Sequence, residues 1–169
     1  GMPLMIGFVL AWARRPAAVG DLPATVCATP AELGQQCAVV FTVVTSSADV
    51  ENIALGKDGL IDGMAPGSVL VDCSTIAPET ARLIAAKLAE KNIAMLDAPV
   101  SGGVQGAIDG TLAIMAGGLP ETIEMVRPLL ECLGQRIVHI GPNGAGQVAK
   151  ACNQMIMVAA IQAAAEAMR

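Results

Sequence analysis

Aromatic side chains are nearly missing from this sequence: its 169 residues hold one Trp, two Phe and no Tyr. Nucleic-acid platforms that stack bases need several such rings, and that class is excluded. Positive charge is scarce too, with 10 Lys and Arg against 15 Asp and Glu and a net charge of −5. Binding to a phosphate backbone needs the opposite balance. His139 is the lone histidine, which leaves no basis for a histidine-built zinc site. The five cysteines (Cys27, Cys37, Cys73, Cys132 and Cys152) show no Cys-x-x-Cys spacing and lie in apolar segments. They read as reduced core residues of a cytoplasmic protein. The N-terminal residues lack the basic region and long apolar region of a signal peptide. The longest apolar run near the C-terminus, Met155 to Ile161, stops at Gln162, short of the roughly 18 residues a membrane span needs.

What is abundant is small and aliphatic. Hydrophobic residues make up 54% and charged ones 15%, against about a quarter charged in an average domain. Enough apolar surface is present to offset the ordering entropy, so disorder is excluded. The length suits one ordinary domain or two small ones.

Short apolar runs alternate with helical windows. Strands are expected at Leu4–Phe8, Val9–Trp12, Ala38–Val44, Ser68–Asp72, Ile93–Asp97, Leu112–Ala116 and Ile137–Ile140. Most are continuous apolar runs, as in strands buried on both faces. Thr29-Pro30-Ala31-Glu32 predicts a capped helix start with Pro at the first position. Ser47 is expected to open a second helix that Gly56 closes. A third runs from Ala77-Pro78-Glu79 to about Lys91, a fourth from Pro120 to about Leu133, and a last one from Gly144 to Arg169. Strand–helix alternation predicts an α/β sheet with mostly parallel strands. One junction fails on geometry. Leu4–Phe8 passes directly into Val9–Trp12, whereas parallel neighbours need a crossover of about a dozen residues. Either the two form one strand or a segment is missing between Phe8 and Val9.

Three stretches carry chemistry. In Asp97-Ala98-Pro99-Val100-Ser101-Gly102-Gly103, the two glycines let backbone N–H groups approach an anion and the Ser101 hydroxyl adds a donor. A carboxylate suits such a loop, and a turn without a ligand is the plainer reading. In Gly141 to Asn153, a glycine loop opens a helix on which Lys150 and Asn153 share a face. Desolvation of Lys150 would lower its pKa and suit it to proton transfer with a carbonyl oxygen. A surface lysine laid along the helix is the alternative. At Trp12-Ala13-Arg14-Arg15-Pro16, a dinucleotide fold would place an acid for the ribose of NAD. Two arginines and no acid favour the 2′-phosphate of NADP; in isolation the pair is a solvated loop.

These stretches, with Asp72-Cys73-Ser74-Thr75-Ile76-Ala77-Pro78 and Ala107-Ile108-Asp109-Gly110-Thr111-Leu112, resemble the β-hydroxyacid dehydrogenase family from Val9 onward. That family includes 3-hydroxyisobutyrate dehydrogenases and semialdehyde reductases. The resemblance implies a Rossmann-type domain over residues 1–143, followed at 144–169 by the helix that leads into an all-helical domain. It implies that Lys150 is the general acid, with Asn153 orienting the substrate and Ser101, Gly102 and Gly103 holding its carboxylate. Thr75 would contact the nicotinamide end, Val44 and Thr45 would line the cofactor, and Arg14, with Arg15, would take the 2′-phosphate. The family's Gly-x-Gly-x-x-Gly loop and following helix have no counterpart here. Roughly 20 residues are therefore expected to be missing near Phe8, and a helical domain beyond Arg169.

The function so implied is an NADP-dependent reduction of a small carboxylated aldehyde, in a homo-oligomer without nucleic-acid or membrane partners. NAD-dependent oxidation of a 3-hydroxy acid is the alternative within enzymes. A non-catalytic scaffold on the same fold is the alternative outside them.

Overall fold

The computed structural model describes residues 9–15, 17, 20 and 23–169. The strand expected at Leu4–Phe8 lies outside them. The order is β1 (Leu10–Ala11), β2 (Thr25–Val26), α1 (Pro30–Gln36), β3 (Val39–Thr42), α2 (Ser47–Leu55), α3 (Leu60–Gly63), β4 (Val69–Asp72) and α4 (Pro78–Ala89). There follow β5 (Ala94–Asp97), β6 (Val100–Ser101), α5 (Gly103–Ile108), β7 (Ala113–Gly117), α6 (Pro120–Leu130), β8 (Arg136–Gly141) and α7 (Ala145–Ala167).

Strands β1 and β2 pair in parallel as a small ribbon, and the other six form one sheet. Within it β3, β4 and β5 run parallel, as do β7 and β8, while β7 is antiparallel to β5 and β6. The mostly parallel reading thus holds, with a turn of direction after β5 that the sequence did not signal. Pro99 divides β5 from β6, and both lie along the same edge of β7, where Met115 donates its N–H to the Pro99 carbonyl at 3.0 Å.

The middle of the sheet, β4 and β5, is buried on both faces. Leu70 and Met95 point to a cluster with Val50, Ile53, Leu60, Ile84 and Leu88 from α2, α3 and α4. Val69, Val71 and Leu96 point the other way, to Ile123, Val126 and Leu130 of α6. Alternate residues of β4 and β5 thus feed two cores, which is why these strands read as unbroken apolar runs. Each such Leu or Ile side chain contributes about 1.5–3 kcal/mol by leaving water.

Local chemistry sets the helix ends. Glu32 donates its N–H to the Thr29 hydroxyl at 3.1 Å, and its own carboxylate accepts from Ala28 N at 2.7 Å. Ser47 opens α2 and Gly56 closes it, as expected; the cap before it is Ser46, whose hydroxyl accepts from Asp49 N. Helices α4 and α6 end at Ala89 and Leu130, two to three residues before their expected ends. The cysteines divide: Cys27 and Cys73 are buried and Cys37 is half-buried, but Cys132 and Cys152 are exposed, contrary to the core reading. By length and composition α7 is apolar enough to cross a membrane, which the unbroken-run rule missed. Its first turns, however, carry buried Gln147 and Lys150 against the sheet.

Candidate active site

The site grows from the ends of β4 and β5. Asp72 and Asp97 are register partners at those ends and both are fully buried. Asp97 anchors the start of α7: Gly144 N–H donates to its Oδ1 at 2.7 Å and Gln147 N–H to its Oδ2 at 3.1 Å. A carboxylate from the sheet thus meets the free N–H groups that every helix start leaves over. Burial pushes the Asp97 carboxyl above the usual range, and the bonds from Gly144 and Gln147 pull it back. Helix and sheet approach closely because residue 146 is glycine; a Cβ there would overlap the Met115 carbonyl oxygen and sit 2.7 Å from that of Asp97.

Asp72 is held on one side only. Its Oδ1 accepts from the Thr42 hydroxyl at 2.8 Å and from Ser74 N at 3.2 Å, while Oδ2 has no hydrogen-bond partner among the described residues. Burial raises its pKa, with the bonds from Ser74 and Thr42 opposing. The neighbouring Cys73 thiol is pushed up to about 12 by burial, which leaves it inert.

Lys150, just beyond the anchored turn, is 8% exposed, and its Nζ donates to the Val100 carbonyl at 2.8 Å. Burial lowers its pKa. The surface-lysine reading is therefore overturned. The Val100 contact sets the ammonium beside Ser101, Gly102 and Gly103, whose backbone has φ of 144° at Gly102 and 66° at Gly103. Those angles favour glycine, and Gly102 is the N-cap of α5. The structure thus joins Lys150 to the loop predicted to hold a carboxylate. Asn153 follows one turn later on the same helix, half-buried, with its amide donating to Gln154 Oε1 at 3.3 Å.

Arg14, Arg15, Val44 and Thr45 come together in a second place, a pocket of about 300 Å³ at the ends of β1 and β3. Leu33, Val40, Ile53 and Leu60 supply apolar lining. Arg14 pairs with Asp49, and this guanidinium, with Ser46 and Thr45, holds the Asp49 carboxyl below its usual range. Thr75 is exposed and does not line this pocket; it sits between, on the loop after β4. Ser74 bridges the two places, its hydroxyl accepting from Val44 N at 2.9 Å.

Sequence reasoning gave no role to Asp49, Asp72, Asp97 or Gln147, although the last three stand within the motifs it singled out. A role for the acidic pair could have been sought, since each ends an apolar strand and opens one of those motifs.

The family model of the NAD-binding domain of 6-phosphogluconate dehydrogenase matches residues 8–141. The chain belongs to this family. Within it, the chain is of the 3-hydroxyisobutyrate dehydrogenase-like type, the β-hydroxyacid dehydrogenases. An NAD-dependent L-serine dehydrogenase of Pseudomonas aeruginosa is 50% identical over 130 residues, 77% of this chain and 44% of that protein. The Mycobacterium tuberculosis 3-hydroxyisobutyrate dehydrogenase, solved with L-serine, matches at a TM-score of 0.88 and 34% identity over 95% of this chain and 55% of the other. A protein named Psf3, solved with NADP+ and 2-OPP, matches at a TM-score of 0.73 and 34% identity over 77% and 46%. The chain spans about half the length of these β-hydroxyacid dehydrogenases and their kin.

Proposed function

We propose that this chain forms the cofactor-binding and proton-transfer part of an NADP(H)-dependent oxidoreductase of small hydroxy acids, reducing a carboxylated aldehyde such as a semialdehyde or glyoxylate. The observation that carries this reading is the buried Lys150 ammonium fixed at Val100 beside the Ser101–Gly103 loop. A substrate whose carboxylate rests on that loop brings its carbonyl toward Nζ. Lys150 then gives a proton to the carbonyl oxygen in reduction and takes one from the hydroxyl in oxidation. Asn153 orients the same oxygen, and Ser101 adds a hydroxyl donor to the carboxylate.

The pocket of Arg14, Arg15, Val44 and Thr45 fits the adenosine end of a dinucleotide. Its volume lies at the low end of the range for small-ligand sites, about 300–1,000 Å³. The carboxylate that lines it, Asp49, pairs with Arg14. Two guanidinium groups at its rim suit a 2′-phosphate, and the relative with bound NADP+ supports this choice. When bound, the nicotinamide donates or accepts the hydride; the chain's residues position and protonate.

Lys150→Ala tests the mechanism. Turnover should fall by about a hundred- to ten-thousand-fold with cofactor affinity kept; near-normal turnover defeats the reading. A second reading, NAD-dependent oxidation of a hydroxy acid, draws support from the 50% identical relative, which is named NAD-dependent. Rates with NADPH and NADH at equal concentration separate the two. The exposed Met155, Ile156, Val158 and Ile161 on α7 support a homo-oligomer.

A further inference from the structure

Gln147 is a polar side chain with 1% exposure on a helix whose other buried residues are Gly146 and Lys150. Both ends of its amide are engaged. The Oε1 accepts from Ile76 N at 3.1 Å and Nε2 donates to the Ser74 carbonyl at 2.8 Å. One side chain thus grips the backbone on both sides of Thr75, as a neighbouring strand would, and leaves the Thr75 side chain facing out. The backbone N–H of Gln147 is itself fixed by Asp97. Lys150 lies three residues further along the same helix, and Ser74 ties the loop onward to Val44 N. The helix that carries the proposed proton donor and the loop on which the family resemblance places the nicotinamide contact therefore share one joint.

We infer that Gln147 is a positioning residue, which sets the Ser74–Ile76 loop, and with it Thr75, in register with Lys150 for hydride and proton transfer. The inference rests on the role proposed above for Lys150 and on the nicotinamide contact that the family resemblance implies for Thr75. A stabilising contact alone would need one hydrogen bond to the loop; two bonds that bracket a single residue fix its orientation as well. Misplacement of reacting groups by about 1 Å costs on the order of a hundredfold in rate, so loss of this grip should appear in kcat.

The test uses the full-length protein with Gln147→Met, an apolar side chain of similar size, and Gln147→Glu, which keeps the acceptor for Ile76 and sets an oxygen against the Ser74 carbonyl. Both should lower kcat by about 10- to 100-fold with little change in the KM for the cofactor. Amide hydrogen exchange at Ile76 should quicken in Gln147→Met and much less in Gln147→Glu. If Gln147 acts through Thr75, adding Thr75→Ala to Gln147→Met should cost little further kcat. Effects that multiply to within about twofold, or a wild-type kcat in either variant, overturn the inference. Should Gln147→Met not fold, Gln147→Glu with Thr75→Ala decides alone. Retained turnover in Lys150→Ala refutes the proposed mechanism instead, and the exchange at Ile76 still tests the joint.

Discussion

Replacing Asp97 by Ala removes the two acceptors that hold the start of α7. The N–H groups of Gly144 and Gln147 both belong to buried residues, and neither has another hydrogen-bond partner among the described residues. Each orphaned N–H costs about 1–3 kcal/mol, a sum of about 2–6 kcal/mol. The loss is partly offset, because the folded chain no longer buries a carboxyl whose ionised form burial disfavours. A net cost of about 2–4 kcal/mol is expected, a large share of the roughly 5–15 kcal/mol that holds a domain together. At about 2–4 °C per kcal/mol for a chain of this size, Tm should drop by roughly 4–16 °C. Asp97→Asn keeps one acceptor and should fall in between. Urea and thermal unfolding followed by circular dichroism measure both. A Tm for Asp97→Ala within about 1 °C of wild type refutes the anchoring role. Equal losses in the two variants would place the effect in shape rather than in acceptor number.

Other outcomes are as definite. Asp72 ionises less readily when folded, so its contribution is fully present below the ordinary carboxylate value of 3.8 and is lost as pH rises through its raised folded value; Asp72→Asn should flatten that decline in a stability–pH series. Gly146→Ala puts a methyl into the Met115 carbonyl and should cost more than about 1–3 kcal/mol of unfolding free energy. The lowered pKa of Lys150 places the rising limb of the oxidation rate below the ordinary lysine value of 10.5, with the reduction rate falling over the same range; initial rates across alkaline pH check the sign. Arg14→Ala should raise the KM for NADPH about tenfold or more with that for NADH little changed.

The sheet was legible because burial on both faces writes itself as nearly unbroken apolar runs in β4 and β5, Val-Leu-Val and Ala-Met-Leu, each closed by an Asp. Helix starts were legible where Pro and a hydroxyl coincide, as at Thr29 and Pro30. The reversal after β5 was not, since antiparallel pairing of β6 with β7 leaves no pattern in two residues. Lys150, Ser101 and the glycines stood out as a motif, yet the burial of Lys150 depends on the distant Val100 carbonyl and could not be read locally. Asp97 and Gln147 stayed hidden for the same reason. Their partners lie 47 to 73 residues away, and spacing along a chain says nothing about bonds of that range. Arg14 was noticed for its charge, whereas Asp49, which shapes that charge, appeared only as an ordinary helix residue.

The most direct test measures nicotinamide turnover in the full-length protein, wild type against Lys150→Ala, with NADPH and a panel of small carboxylated aldehydes. Turnover on at least one aldehyde that collapses in the variant, while NADPH still binds, is the result a buried proton donor at Val100 requires. Equal turnover in both proteins would contradict it.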